Sequence, residues 1–127
     1  MRIILASKSP RRRELLSEIY KDFEIITAET DETLPEGMHP REGVAMLAVR
    51  KGEAVRDMVG DDALIISSDT LVELGGVPLG KPADEEDAER MLTALSGKAH
   101  NVHINCHLLQ FAVSRYFIAD CFCLNVH

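Results

Sequence analysis

Asp69 closes an apolar run, Ala63-Leu64-Ile65-Ile66, that breaks into Ser67 and Ser68. A carboxylate leaving the carboxyl end of a strand stands where open α/β sheets place their ligand crevices, and it can take a proton from water there. Lys51 projects from the apolar stripe of the segment before it, where a lone ammonium costs on the order of several kcal/mol unless an anion answers it. Arg11, Arg12 and Arg13 follow Ser9-Pro10 directly, in the first turn of a helix, where the dipole disfavours cations. An anion such as phosphate, bound on the free N–H groups of that turn and by the guanidinium groups, would make the placement favourable. Each feature also has a plainer explanation: a turn cap for Asp69, a snorkelling side chain for Lys51, a solvated basic turn for the arginines. Asp31 and Glu32 are adjacent acids beyond a strand end, solvated unless a partner turns them to metal binding.

The elements that must position these groups read as alternating strands and helices. "RIILA" is a short strand, after which Ser9 is the N-cap and Pro10 the first turn of a helix with Leu15, Leu16, Ile19 and Tyr20 on its apolar face. "DFEIITA" predicts a second strand and "ETDETLPEGMHP" an acidic loop. Residues 41–59 predict a helix with Val44, Leu47, Ala48, Val55 and Met58 on one stripe around Lys51. The run ending at Asp69 is a strand whose continuous apolar character suits cover on both faces. Gly75-Gly76 predicts a hairpin turn. A further helix starts at Asp84, carries Ala88, Met91, Leu92 and Leu95 as its stripe, and ends at Gly97. Gly75 to Lys81 matches GxxxxGK, but Pro82 stands where a P-loop needs a metal-binding hydroxyl, Pro78 stiffens the loop, and no helix follows the lysine.

Composition limits the partners. The chain has 127 residues, 46% of them hydrophobic and 28% charged, which predicts one globular unit. A net charge of −7 argues against a nucleic-acid backbone as main partner, and no apolar run approaches the roughly 20 residues of a membrane span. No secretory signal is legible at the N-terminus, so the expected location is the cytoplasm. Cys106, Cys121 and Cys123 are odd in number and lack CxxC spacing, so they predict free thiols rather than a disulfide or zinc site.

Taken in order, "ILASKSPRRRELL", Asp31-Glu32, "LAVRKGEAV", "ISSDTLVELGGVPLGKP" and "MLTALSGKAHNVH" resemble the Maf family of nucleoside triphosphate pyrophosphatases. The resemblance implies an α/β fold like that of the inosine triphosphate pyrophosphatases, a mixed sheet flanked by helices with a cleft between two lobes. It implies cleavage of a nucleoside triphosphate between the α and β phosphates with a divalent cation, Mg²⁺ or Mn²⁺. Asp69 matches the family's proton acceptor, and Ser7, Arg12, Glu32, Lys51 and Lys81 match its other pocket residues. Arg11 is a further substrate-binding candidate beside them. Glu32 and Asp69 are the implied metal ligands. Thr70, with Arg12, matches the specificity positions of the subgroup acting on dTTP and UTP. Homodimers are also implied.

The resemblance covers residues 2–103, so residues 1–103 read as the N-terminal portion of such a domain and 104–127 as a divergent tail. From Ile104 onward there is no Gly, Pro, Glu or Lys, and three of the four Phe gather there. Family members run on with further strands and a Gln that helps select the base, so the C-terminal part is expected to be missing through truncation or frameshift. Weakened turnover and relaxed base preference follow as expectations. A binding role in septum formation and an inactive fragment are the alternatives to catalysis.

Overall fold

The computed structural model describes residues 1–110 and the backbone of 124–126. In order these form β1 (Arg2–Leu5), α1 (Pro10–Ile19), β2 (Glu24–Ile25), α2 (Pro40–Val59), β3 (Ala63–Leu74), β4 (Val77–Leu79), α3 (Glu85–Leu95), β5 (His100–Gln110) and β6 (Leu124–Val126). The strands make one mixed sheet in the order β2-β1-β3-β5-β6, as the α/β expectation required. β1 runs parallel to both β2 and β3, while β3 pairs antiparallel with β5 along ten positions, from Leu64 opposite Gln110 to Glu73 opposite Asn101.

Local chemistry sets the boundaries. Ser9 caps α1 by accepting from the Arg12 N–H, with Pro10 next to it, and Asp84 caps α3 by accepting from the Asp87 N–H at 2.8 Å. His39 caps α2 through Nδ1, which accepts from the Arg41 N–H at 3.1 Å. Gly75 and Gly76 take φ of +59° and +83°, the left-handed pair that turns β3 tightly into β4.

Three expectations need correction. The "DFEIITA" strand is reduced to Glu24–Ile25, extended only by the Ile26 N–H donating to the Leu5 carbonyl at 3.3 Å. The strand ending at Asp69 does not end there. β3 continues to Leu74, because β5 offers Asp69 and its neighbours a ladder irrespective of their modest strand propensity. Finally, the helical stripes are covered unevenly. α2 buries Val44, Leu47, Ala48 and Val55, but Met58, at its last turn, is 61% exposed. α1 and α3 bury no residue, so Leu15, Ile19, Tyr20 and Leu92 face outward.

The core lies between α2 and the sheet, where Ile4, Ala6, Val55, Ala63 and Ile65 form one buried cluster. Burying each large aliphatic side chain contributes about 1.5–3 kcal/mol. A polar lock holds the two layers in register: the wholly buried Ser67 hydroxyl donates to the Ala48 carbonyl at 2.6 Å. Gly52 makes this approach possible, since a Cβ there would lie 2.9 Å from Ser67 Oγ and 3.3 Å from His107 Cδ2. Alanine's better helix propensity is worth about 1 kcal/mol, whereas overpacking costs about 1–3 kcal/mol and disturbing a buried hydroxyl adds to it. Gly52→Ala is therefore expected to lower stability by about 1–2 kcal/mol in urea unfolding, and Ser67→Ala in the same chain to restore part of it. Equal stability of Gly52→Ala and the parent would show that the layers are not in contact there.

The polar interior also predicts a dependence on pH. Burial pushes the His107 imidazole down, with the charge of Glu53 opposing weakly. The Glu73 carboxyl lies below the usual carboxylate range because His103 hydrogen-bonds it, Nε2 to Oε2 at 2.5 Å. Both groups bind protons more readily in the unfolded chain, so their stabilisation is complete above their unfolded values and is lost as pH falls through the folded ones. The urea midpoint should begin to fall below about pH 6.5, and again below about pH 4. His107→Gln should remove the upper phase; its persistence would assign that phase to another histidine.

Residue 104, where the composition shifts, falls inside β5, which pairs with β3 on both sides of it. Cys106 is an exposed free thiol, whereas Cys121 and Cys123 lie outside the described residues, as do residues 111–120.

Candidate active site

A gap in the sheet creates the site. On the edge of β3 away from β5, residues 63–66 pair with β1 and residues 72–74 with β4. Between them, residues 67–71 have no strand partner on that side among the described residues, so their edge is open to side chains from elsewhere. Arg12 fills part of the opening. Its Nη1 donates to the Ser68 carbonyl at 2.9 Å and to Ser7 Oγ at 3.4 Å, and its Nη2 donates to Thr70 Oγ1 at 2.9 Å. A guanidinium has five N–H donors, so three contacts leave part of the fork for a ligand.

Beside the gap lies a cavity of about 760 Å³. Seven of the eight residues singled out in the sequence line it: Ser7, Arg12, Glu32, Lys51, Asp69, Thr70 and Lys81. Arg11 does not. It precedes Arg12 by one position, about 100° around the helix, and its side chain is exposed. The first turn of α1 thus directs one arginine of three at β3.

The charges are concentrated. Lys51 Nζ lies 3.3 Å from Asp69 Oδ1 and 3.2 Å from Glu32 Oε1, and Lys81 Nζ lies 3.9 Å from the same Glu32 oxygen. The half-buried lysine read from the α2 stripe therefore does have anionic partners. Burial is graded: the Asp69 side chain is 13% exposed and that of Lys51 20%, while Lys81 at 86% stands at the mouth. Asp69 Oδ1 also accepts from the Thr70 N–H at 2.8 Å, which fixes the carboxylate against its own strand. Such a carboxylate can accept a proton, and the surrounding cations can neutralise an anion far more effectively than they could in open water.

Two parts of the site escaped sequence reasoning. Lys8, Thr27, Glu29 and Thr30 also line the cavity, and Lys8 Nζ bonds Glu29 Oε1 at 2.8 Å across its rim. The pairing of β1 with β2 brings those two loops together, and no local motif announces it. A second hollow of about 500 Å³ shares Glu32, Asp69, Thr70 and Lys81 with the first and is walled by Leu34, Leu47, Leu71, Pro78 and Leu79. It sets an apolar annex beside the cationic chamber.

A mixed-sheet α/β protein with a carboxylate and cations gathered in a break beside its central parallel strands is the class this fold and site define. Solved structures share the architecture. The Ham1 protein of Staphylococcus aureus superposes with a TM-score of 0.62 at 18% identity, over 93% of this chain and 67% of that one. The dITP/XTP pyrophosphatase of Mycobacterium abscessus gives 0.59 at 15% identity, over 99% and 74%. At those identities the likeness concerns the fold.

The chain belongs to the family described as Maf-like protein, whose profile matches residues 2–120. It is 47% identical over 117 residues to the dTTP/UTP pyrophosphatase of Pelotomaculum thermopropionicum, covering 92% of this chain and 61% of that protein. It is 50% identical over 101 residues to the dTTP/UTP pyrophosphatase of Anaeromyxobacter dehalogenans, covering 80% and 50%. The chain thus spans 50–61% of the length of these curated relatives.

Proposed function

We propose that the cavity binds a nucleoside triphosphate of the dTTP or UTP class and hydrolyses it to the monophosphate and pyrophosphate. The observation that carries this reading is the convergence, in one chamber, of Asp69 with Lys51, Lys81, Glu32 and Arg12 from five separate segments. A lone acid or a lone basic turn has many explanations; an acid set among cations beside a strand break suits a polyphosphate.

Asp69 takes the proton of a water and aims its oxygen at the α-phosphorus. The new bond forms between that oxygen and phosphorus, and the bond from the α-phosphorus to the oxygen bridging the β-phosphate breaks, so that the electron pair leaves with pyrophosphate. General-base assistance of this kind contributes about 10²- to 10⁴-fold. Charge accumulates on the phosphate oxygens as the bond breaks, and Lys51 and Lys81, both beside Glu32 Oε1, neutralise it. Arg12 holds the Ser68 peptide and Thr70 in place and offers its remaining donors to the ligand. Contact between Arg12 and Thr70 couples the two positions that the family likeness marks for choice of base.

Glu32 and Asp69 suit a divalent cation. Mg²⁺ sites at substrate phosphates use about one or two carboxylates, with phosphate oxygens completing the shell, and among the described residues no cluster of three or more ligating side chains offers an all-protein alternative. When bound, Mg²⁺ or Mn²⁺ supplies Lewis-acid neutralisation of phosphate charge. The reading assigns the protein to the cytoplasmic nucleotide pool. None of the helices among the described residues is long and apolar enough to cross a membrane.

The test is direct. The full chain, incubated with dTTP or UTP and Mg²⁺ or Mn²⁺, should release equal amounts of pyrophosphate and monophosphate, and EDTA should stop the reaction. Release of orthophosphate instead, or no release from any nucleoside triphosphate, would overturn the proposal.

A further inference from the structure

Glu32 has no regular element to hold it. The connection from β2 to α2 contains neither helix nor strand over residues 26–39, and ordering one such residue costs about 1–2 kcal/mol of backbone entropy. Yet its carboxylate must stay between Lys51 and Lys81 for the charge arrangement to persist. Arg50 supplies the restraint. Its Nη1 donates to the carbonyl oxygens of Asp31 at 3.1 Å and Thr33 at 2.9 Å, the residues directly before and after Glu32. One guanidinium nitrogen therefore grips the backbone on both sides of the side chain that faces the cavity.

Two further contacts define the same turn. Asp31 closes it from within, its Oδ1 accepting from the Thr33 N–H at 2.8 Å. Leu34 seats it on α2 at Gly43, where an added Cβ would lie 2.9 Å from Leu34 Cδ1. Positions 43 and 50 are about two helical turns apart, hence on one face of α2, with Leu47 between them. Adjacent cations on the helix thus divide the work. Lys51 meets the carboxylates, and Arg50 holds the peptide that presents one of them.

We propose that Arg50 is a positioning residue for the polyphosphate site, anchoring the 31–33 turn to α2 so that the Glu32 carboxylate stays opposed to Lys51 and Lys81. The role depends on the guanidinium's divided donors, which a lysine reproduces only in part. It rests on the reading of the cavity as a polyphosphate site, but the anchoring itself can be judged without turnover.

The experiment compares the full parent chain with Arg50→Gln, Arg50→Lys and Asp31→Ala, the last loosening the same turn without touching α2. Amide hydrogen exchange without ligand should be at least about 10-fold faster at residues 31–34 in Arg50→Gln while the amides of β3 stay protected. Asp31→Ala should do the same, and Arg50→Lys should stay nearer the parent. Affinity for inorganic tripolyphosphate with Mn²⁺ should fall with the loss of protection. For dTTP, kcat should drop about 10- to 100-fold, the range seen when residues supporting a metal ligand are removed, with Arg50→Lys recovering part of it. Unchanged exchange at 31–34 in Arg50→Gln, acceleration spread equally through β3, or a freed turn with kcat and tripolyphosphate affinity at parent levels would each overturn the assignment. A parent chain that releases no pyrophosphate would instead defeat the functional reading, leaving exchange and tripolyphosphate affinity to decide the role of Arg50.

Discussion

Asp69→Asn should lower pyrophosphate release from dTTP by about 10²- to 10⁴-fold, the full contribution of a general base, while binding of the nucleotide survives. The substitution keeps the shape of the side chain and an oxygen able to accept from the Thr70 N–H, so β3 is not disturbed. What it removes is the basic oxygen and the negative charge beside Lys51. Loss of that charge leaves the lysine free for an anionic ligand, so affinity for the triphosphate measured without metal should hold or rise, while kcat with Mg²⁺ or Mn²⁺ falls. This split separates a catalytic carboxylate from one that only organises the pocket, since an organiser would raise KM as well. A variant with kcat within a few-fold of the parent would remove Asp69 from the mechanism, and the single-turnover rate is the measurement that decides.

Lys51→Met should have the next largest effect, lowering kcat/KM for the same substrate by about 10²- to 10³-fold, the range for losing one preorganised charge at a developing oxyanion. Methionine fills a similar volume on α2 but leaves Asp69 and Glu32 facing each other without the cation now within 3.3 Å of both. Breaking a fully buried ion pair costs about 3–5 kcal/mol. Here the cavity admits water and Glu32 is half exposed, so a loss of about 1–2 kcal/mol is the appropriate scale once solvent screening is counted. Activity should therefore collapse well before the fold does. Lys51→Arg, which keeps the charge with a different geometry, should recover part of the rate and most of the stability. Parallel loss of activity and of the folded state in Lys51→Met, measured by urea unfolding, would mean that the lysine serves the fold.

How much of this the sequence makes legible differs from element to element. Ser9-Pro10 and Gly75-Gly76 declare a cap and a turn through chemistry confined to a few residues, and both occur in the structure, while Asp84, where the sequence starts a helix, proves to be its N-cap. Local propensity ends β3 too early, because Ser67, Ser68 and Asp69 are poor strand formers by themselves. They stay in the ladder because His107, Cys106 and Asn105 lie opposite, more than thirty positions away, in the segment whose composition gives least warning of a strand. Helical periodicity found the stripe on α2 but could not say how far along it cover extends. Met58 and Ile19 share the apolar character of their neighbours and face outward.

The site shows the same division between local and distant information. A cation on an apolar stripe signals that Lys51 needs an anionic partner, but Glu32 and Asp69 come from a loop and a strand whose proximity only the folded chain supplies. The sequence makes Arg12 a phosphate contact, yet much of its guanidinium is occupied by Ser7, the Ser68 carbonyl and Thr70. That arrangement exists because one edge of β3, the one away from β5, has no strand partner among the described residues between β1 and β4, a property of sheet order that no single segment encodes. The role of Arg50 is illegible in the sequence for a related reason: a backbone carbonyl leaves no signature in the sequence of its partner.

The position of bond cleavage tests the central claim most directly. If the full chain hydrolyses dTTP in ¹⁸O-labelled water, attack at the α-phosphorus beside Asp69 predicts label in the monophosphate and none in the pyrophosphate. Label in pyrophosphate, or its appearance in orthophosphate, would contradict the geometry proposed for the cavity.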